Sequence, residues 1–481
     1  MKKAAGSITK KEFLFLTLCL VSCFIFYFVW SLNNAFNTSP DEGMRFDVIR
    51  YIYETGIIPD GFTEEIRTAT YGYSYAFFPT FLGALLSTAF MHIAAVFSTE
   101  QGVLLMAARM TSLLGSIFAL FFFYLSLRKL FSVRVSAVCL TMTAMMPQYA
   151  YLSTYVNNDI ICIWGSSLVL YGWLCVFEKG WTVFSTLMTG SGIVVIALSY
   201  YNGGAWILMS ILFFFTGFYW HKGQGIWSYD RMKKMCALIV GFVFVCVGYF
   251  YIRNIILYNG DMFGIRAMSE SGRLYGLPML YPENRPTGHN MGISLLHFLL
   301  YPTVLNVSWL ALSFLSFVGV LGPMNIILPI IFYIFYLIIF LIGVLAFLVD
   351  FGCQSKKMRN LQQGSEERIK AKMYILFRVM LIVCIVTPFC LSVYYSYFMD
   401  YQSQGRYIYP GLTAFIVILG FGMTKIIDSV QSFALKRGKN LDFILNLGLA
   451  LLILLMIGIC LYSYFGAYLP HYAAVAAAPA S

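Results

Sequence analysis

Residues 325–348 read NIILPIIFYIFYLIIFLIGVLAFL, an unbroken run with no charged side chain. As a helix rising about 1.5 Å per residue, it is long enough to cross about 30 Å of hydrocarbon. Comparable runs lie near 12–32, 102–127, 133–150, 159–177, 182–200, 203–220, 236–254, 374–397, 408–424 and 441–464. The composition agrees: of 481 residues, 60% are hydrophobic, 18% aromatic and only 11% charged. A soluble domain carries about 25% charged residues. With the bilayer as solvent, every spanning backbone group must be satisfied within its own segment. The expected class is therefore all-α, a polytopic transmembrane helix bundle of about eleven spans. The first run is not a cleavable signal peptide, because no small-residue cleavage site follows it.

The net charge of +11 would suit nucleic acid, but its distribution excludes that partner. Basic residues cluster in short loops: Lys2, Lys3, Lys10 and Lys11; Arg128, Lys129 and Arg134; Arg231, Lys233 and Lys234; Lys356, Lys357 and Arg359; Lys436, Arg437 and Lys439. The positive-inside rule places these in the cytoplasm, with the N-terminus inside and the C-terminus outside a multi-pass plasma membrane protein. That parity leaves two apolar stretches that cannot cross: 76–97, which would carry Arg128 and Lys129 to the outer side, and 306–322, for the same parity reason. They are expected to lie in the outer interface or to re-enter it. Every lysine then falls inside. The basic residues left at the outer face are all arginine: Arg45, Arg50, Arg67, Arg109, Arg253, Arg266, Arg273, Arg285 and Arg406. Guanidinium suits planar, bidentate recognition of phosphate or carboxylate. Ten of the eleven cysteines sit in or beside predicted spans and Cys353 in a cytoplasmic loop, so neither a disulfide framework nor a zinc cluster is expected.

Residues 1–472 read as a single membrane module with two long outer loops, 33–101 and 255–324, both longer than a helix connection needs. The tail 473–481, AAVAAAPAS, is compositionally foreign to the rest and stays outside the fold reading.

Four motifs carry polar chemistry. Thr38-Ser39-Pro40-Asp41-Glu42 follows the first span; Ser39 or Asp41 would cap a helix, or a carboxylate at the membrane surface would act as a general base. Asp41 and Arg45, four apart, would form a helical ion pair. Asn157-Asn158-Asp159 opens the fourth span; Asp159 reads as a cap, or with Asn158 as a group that orients an acceptor or a metal. Arg253 ends the seventh span, where snorkelling to the interface competes with a binding role. Tyr401-Gln402-Ser403-Gln404-Gly405-Arg406-Tyr407 opens the tenth span with more polar groups than a turn needs. Arg109 lies part way into a span, where a charge demands a partner or a polar cavity.

The set SPDEGMRFDVIRYI, PQYAYLSTYVNND, YFYIRNIILYNGD, SFLSFVGVLGPMNI and DYQSQGRYIYPGL, in this order, resembles the GT-C membrane glycosyltransferases. That superfamily includes protein O-mannosyltransferases, lipid A aminoarabinose transferases and oligosaccharyltransferases. Asp41 and Asp159 match its acidic positions after the first span and between the third and fourth. The chain departs from many relatives at Phe78-Pro79-Thr80, where they carry two prolines and a leucine.

The resemblance implies a GT-C-like bundle with interfacial helices and a donor sugar on a polyprenyl phosphate, held among membrane lipids. The acceptor would be a cell-envelope glycan, lipid or protein. It implies inverting transfer of one monosaccharide, with Asp41 as base and Glu42 second in line. Arg406, Arg253 and Arg109 would bind the donor phosphate. Asp159, Asn158 and Gln404 would position the acceptor or a metal. A divalent cation stays open, because some relatives use one and others do not. A transporter or flippase for a lipid-linked sugar, or an envelope-polymer ligase or polymerase with a diphosphate-linked donor, are the alternatives.

Overall fold

The computed structural model describes residues 8–223, 225–304 and 306–477; Lys2, Lys3 and residues 478–481 of the tail lie outside them. The described part is all-α apart from one two-stranded hairpin, Val320–Leu321 with Ile326–Ile327. Among the described residues, nine helices are long and apolar enough to cross a membrane. They are Lys10–Leu32, Gln101–Leu130, Asp159–Lys179, Tyr201–Trp220, Tyr229–Leu257, Ile330–Arg359, Glu366–Phe398, Gly405–Leu435 and Asp442–Ala474.

The two remaining expected spans form shorter helices. Val183–Ala197 starts at a reciprocal capping box between Thr182 and Ser185. The 133–150 span is broken into Val133–Ala144 and Pro147–Leu152. Pro147 disfavours a helical Met146, which adopts an extended conformation. A break inside a membrane strands carbonyls, and tyrosines from other helices repair it. Tyr27 donates to the Ala144 carbonyl at 2.6 Å and Tyr336 to that of Met145 at 3.4 Å.

Two boundaries differ from the sequence reading. The 325–348 span begins at Ile330, because Ile326 and Ile327 belong to the hairpin, and it continues to Arg359. Cys353 therefore lies in that helix rather than in a loop. The last helix runs through residue 473 to Ala477, past the boundary expected for the tail.

The helices differ in how much they bury. In Asp159–Lys179, 78% of the apolar window is buried, whereas in Tyr229–Leu257 none is. The first is the central post of the bundle, and the second lies at its periphery, packed on Val183–Ala197. Close helix approach is secured by small residues: a Cβ on Gly422 would lie 2.0 Å from the Gly343 carbonyl oxygen. The stretch 76–97 forms the helix Leu82–Ala95, and 306–322 forms Trp309–Gly319. At about 1.5 Å per residue both fall well short of the hydrocarbon thickness. Leu82–Ala95 packs on Gln101–Leu130 and on the short helix Glu42–Thr55, and so walls the space beyond the first span.

Candidate active site

The site begins where the first span ends. Ser39 is buried, hydrogen-bonded to Asn34 and, at 2.8 Å, to the Tyr151 hydroxyl. Pro40 follows, and Asp41 stands at the N-cap of Glu42–Thr55 in the left-handed conformation, φ 64° and ψ 2°. Its side chain makes no cap hydrogen bond, which overturns the capping expectation for this residue. A non-glycine residue held there costs about 1–2 kcal/mol. Here that conformation accompanies a carboxylate that accepts instead from Nη2 of Arg406, 365 residues away in sequence.

Glu42 has a different task. It is fully buried and clamped by Arg109, Nε to Oε1 at 2.8 Å and Nη2 to Oε2 at 2.9 Å. It also accepts from the backbone N–H groups of Asn37 and Val156, each at 3.2 Å. Arg109 spends Nη1 on the carbonyls of Ser31 and Asn34 at 2.8 and 2.7 Å. The two residues are committed to each other and to the main chain. They join the end of the first span, the second span and the turn before Asp159, and they set the place of Asp41.

Arg406 comes from the segment before the tenth span. Residues 400–404 carry no regular secondary structure, and Gln404 is extended. Asp400, Gln402, Gln404 and Arg406 are joined side chain to side chain in a continuous ladder, Arg406 from the first turn of the 3-10 helix Gly405–Gly411. Gln402 Nε2 donates to Asp400 Oδ2 at 3.1 Å, Gln404 Nε2 to Gln402 Oε1 at 3.3 Å, and Arg406 Nε to Gln404 Oε1 at 2.6 Å. Tyr407 donates to Gln402 Oε1 as well. The intervening Ser403 and Gly405 are buried. Gly405 donates its N–H to Ser316 Oγ at 2.6 Å, and a Cβ there would sit 2.2 Å from the Phe317 nitrogen. Only glycine allows that approach.

Arg406 is buried, at 2% exposure, between two carboxylates. Nη2 donates to Asp41, and Nη1 lies 3.5 Å from Asp159 Oδ2. Asp159 opens the central helix, but its carboxylate faces Arg406, and Asn157 Oδ1 accepts the Ile160 N–H in its place. The other Asp159 oxygen is buried without a partner among the described residues. Asn158 beside it donates to the Ser199 carbonyl at 2.9 Å. The structure thus gathers Asp41, Asp159, Gln404 and Arg406, with Asn158 on the adjoining wall. Arg253 is placed elsewhere. Its Nη2 donates to the carbonyls of Ile58 and Pro59 at 3.1 and 2.8 Å, tying the first outer loop to the seventh span.

Several residues near the site had been given no role in it from sequence. Arg45 does not pair with Asp41 within ion-pair distance; its guanidinium lies over the Tyr75 ring, 4.4 Å from the centroid. It lines a cleft with Tyr75, Thr80, Thr111, Ser112 and Asn158. On the far side of the ladder stand Asp400 and the buried Arg285. The i,i+4 spacing from Asp41 was the available signal for Arg45. Nothing local marks Arg285.

The two outer carboxyls are driven in opposite directions. Burial pushes Asp41 up, but the charges of Arg406 and Arg45 outweigh it and hold the group below its ordinary value. Burial pushes Asp400 up, and its Gln402 hydrogen bond and the Arg285 charge do not offset this. Among the described residues no group of three or more His, Cys, Asp or Glu converges as a metal site.

No family model matches the sequence, and no curated protein does. Solved structures do. The Archaeoglobus fulgidus oligosaccharyltransferase in its apo form gives a TM-score of 0.51 at 12% identity, over 92% of this chain and 55% of that one. The ArnT of Cupriavidus metallidurans bound to undecaprenyl phosphate gives 0.48 at 14% identity, over 94% of this chain and 75% of that one. The A. fulgidus oligosaccharyltransferase AglB in complex with an inhibitory peptide and a dolichol-phosphate gives 0.48 at 13%, over 93% and 55%. The chain spans about half the length of the oligosaccharyltransferases it matches. By the fold it shares with the apo oligosaccharyltransferase, this chain is an all-α, polytopic membrane helix bundle of GT-C-like architecture.

Proposed function

We propose that the protein is an inverting glycosyltransferase that moves a monosaccharide from a polyprenyl phosphate to a hydroxyl of a cell-envelope acceptor on the extracytoplasmic face. The observation that carries this reading is the contact of Asp41 with Arg406, brought together from opposite ends of the chain beside a second buried carboxylate, Asp159. A guanidinium seated between two carboxylates is a preorganised cation in a dry site. Such a group is worth several kcal/mol to a developing phosphate anion. A structural ion pair would not need the additional unpaired Asp159 oxygen.

The chemistry follows from competition for Arg406. Without donor, Arg406 holds Asp41 ionised and occupied. A donor phosphate draws on the same guanidinium, with Arg45 close by, and loosens its hold on Asp41. Asp41 then has a free oxygen and a higher proton affinity. The acceptor oxygen attacks the anomeric carbon from the side opposite the phosphate. Its proton passes to Asp41, the carbon–oxygen bond to phosphate breaks, and the phosphate leaves with the electron pair toward Arg406. One displacement inverts the anomeric centre. Glu42 and Arg109 hold the Asp41 turn in place. Asp159 orients the acceptor. If the reaction uses a divalent cation, Asp41 and Asp159 would be the residues to hold it, and it would add positive charge at the leaving phosphate.

The test uses purified protein and undecaprenyl-phosphate-linked sugars. Asp41→Asn is expected to lose transfer while still binding donor lipid. Arg406→Ala is expected to weaken binding and turnover together. Normal turnover by Asp41→Asn removes the assignment of the base. Binding of donor by the wild type with neither transfer nor hydrolysis, and passage of the lipid across the bilayer, would make the protein a transporter.

A further inference from the structure

The ladder that ends on Arg406 begins at Asp400, and its outer half has no task in the transfer described above. Facing it are side chains from both outer loops. Tyr71 and Tyr73 have ring centroids 5.6 Å apart and planes inclined by 52°. Arg285 is buried, its Nε on the Leu280 carbonyl at 2.9 Å and its guanidinium 5.9 Å from the Tyr71 centroid. The Arg285 charge reaches Asp400, Tyr71, Tyr73 and, from the end of the ninth span, Tyr395. Three chain segments distant in sequence thus converge.

The hydroxyls of Tyr71, Tyr73 and Tyr395 donate to and accept from no group among the described residues, and none of them is among the sealed, unpartnered polar atoms. Buried or half-buried phenols normally find partners. Three phenols without a protein partner, the Asp400 carboxylate, the Arg285 guanidinium and two amides make a surface of hydroxyl donors and acceptors with aromatic faces. A lipid tail would leave these groups unsatisfied, and a polyanion would meet Asp400.

We propose that Asp400, Gln402, Arg285, Tyr71 and Tyr73 form a carbohydrate subsite that holds the ring of the donor sugar. This rests on the glycosyltransferase reading above, because the direction of the ring is set by the phosphate at Arg406. The side chains run from Arg406 through Gln404 and Gln402 to Asp400 by successive hydrogen bonds. A ring hung from a phosphate at Arg406 therefore lies along Gln404 and Gln402, with its far hydroxyls at Asp400. The Asp400 carboxylate accepts from two neighbouring hydroxyls, Gln402 shares one of them, and the phenols cover the open face. Residues here choose which sugar is carried. They do not make or break the glycosidic bond.

The experiment is titration calorimetry of the detergent-solubilised full chain with undecaprenyl phosphate and with a panel of undecaprenyl-phosphate-linked glucose, galactose, mannose and N-acetylglucosamine. The wild type is expected to bind at least one sugar-bearing lipid about tenfold more tightly than the bare lipid phosphate, the discrimination a hydroxyl-binding pocket provides. Asp400→Asn is expected to abolish that preference and leave the affinity for undecaprenyl phosphate unchanged. Tyr73→Phe, which keeps the ring and removes one hydroxyl, is expected to reduce it by about threefold. Arg406→Ala is expected to weaken both lipids equally. A wild type without preference, or an Asp400→Asn variant that keeps it, overturns the subsite while leaving the phosphate site intact. No binding of undecaprenyl phosphate by the wild type overturns the donor reading, and the subsite with it.

Discussion

At the scale of single residues, neighbours in sequence are given opposite tasks by their surroundings. Asp41 and Glu42 are adjacent acids, yet one keeps 27% of its side chain exposed and the other is sealed in a bidentate clamp. Breaking a buried ion pair by removing one partner costs about 3–5 kcal/mol, because the other charge is left uncompensated. Glu42→Gln and Arg109→Met are therefore expected to lower the unfolding temperature of the solubilised protein sharply. Asp41→Asn is expected to leave that temperature nearly unchanged and to stop transfer. Equal thermal shifts for Asp41→Asn and Glu42→Gln would show that the two acids share one structural role. The pH dependence follows from the same surroundings. As the proposed base, Asp41 must be ionised, and Arg406 and Arg45 hold its proton affinity below the ordinary carboxylate value. Activity in the free enzyme is thus retained as pH falls until the depressed value is reached, and is lost below it. Removing one of the two cations raises that value, so Arg45→Gln is expected to move the acid limb of the kcat/KM profile to higher pH. An unmoved limb would mean that Arg45 does not act on Asp41. From sequence, the acid after the first span and the arginine before the tenth were legible, since both stand out among apolar residues. The division of labour between Asp41 and Glu42 was not, because it depends on where Arg109, on another helix, points. The surroundings of Arg253 were hidden for the same reason: its guanidinium meets two loop carbonyls that no local pattern announces.

At the scale of elements, the site depends on a short irregular segment and on a glycine beneath it. The ladder Asp400–Gln402–Gln404–Arg406 is a period of two, which a reader of DYQSQGRY can see. Which face it offers is decided by Gly405, packed on the backbone of Ser313 and Phe317. A methyl group at Gly405 would lie 2.4 Å from the Ser313 carbonyl oxygen and 2.2 Å from the Phe317 nitrogen, atoms that cannot rotate away. Gly405→Ala is expected to push the segment outward at a cost of about 1–3 kcal/mol, the range for overpacking. It should weaken donor binding although no ligand-facing side chain has changed. Binding equal to wild type would show that the segment tolerates displacement. Helix existence was the most legible feature, and helix ends the least. Pro147 marks the break in the third span, but the expected 133–150 segment ran through it because hydropathy is insensitive to a missing hydrogen bond. The hairpin at Ile326–Ile327 was absorbed into a span because isoleucine is apolar in a strand and in a helix alike.

At the scale of the whole molecule, the arrangement of charge and the position of the site make one statement about sidedness. The turn bearing Asp41 follows the C-terminal end of Lys10–Leu32, and the described lysines sit at the opposite ends of the helices or in the loops between those ends. Lys10 and Lys11 begin the first long helix, Lys129 and Lys179 end the second and third, and Lys356 and Lys357 end the sixth. Arginine alone is used near the cleft, where a fixed charge and a planar fork serve phosphate and carboxylate. Lysine excess on one side is what orients a polytopic chain during insertion, so one bias both sets the topology and keeps flexible ammonium groups away from the Asp41–Arg406 pair. The orientation proposed here can be tested without substrate. A membrane-impermeant amine reagent applied to intact spheroplasts expressing the protein is expected to label none of its lysines. The same reagent is expected to label Lys11, Lys222 and Lys439 once the membrane is permeabilised, because these lie in exposed helix ends and loops. Labelling of those lysines in intact spheroplasts would turn the molecule over and place the Asp41–Arg406 pair on the cytoplasmic face. It would then meet donors before they cross the membrane, and an envelope acceptor could not reach it.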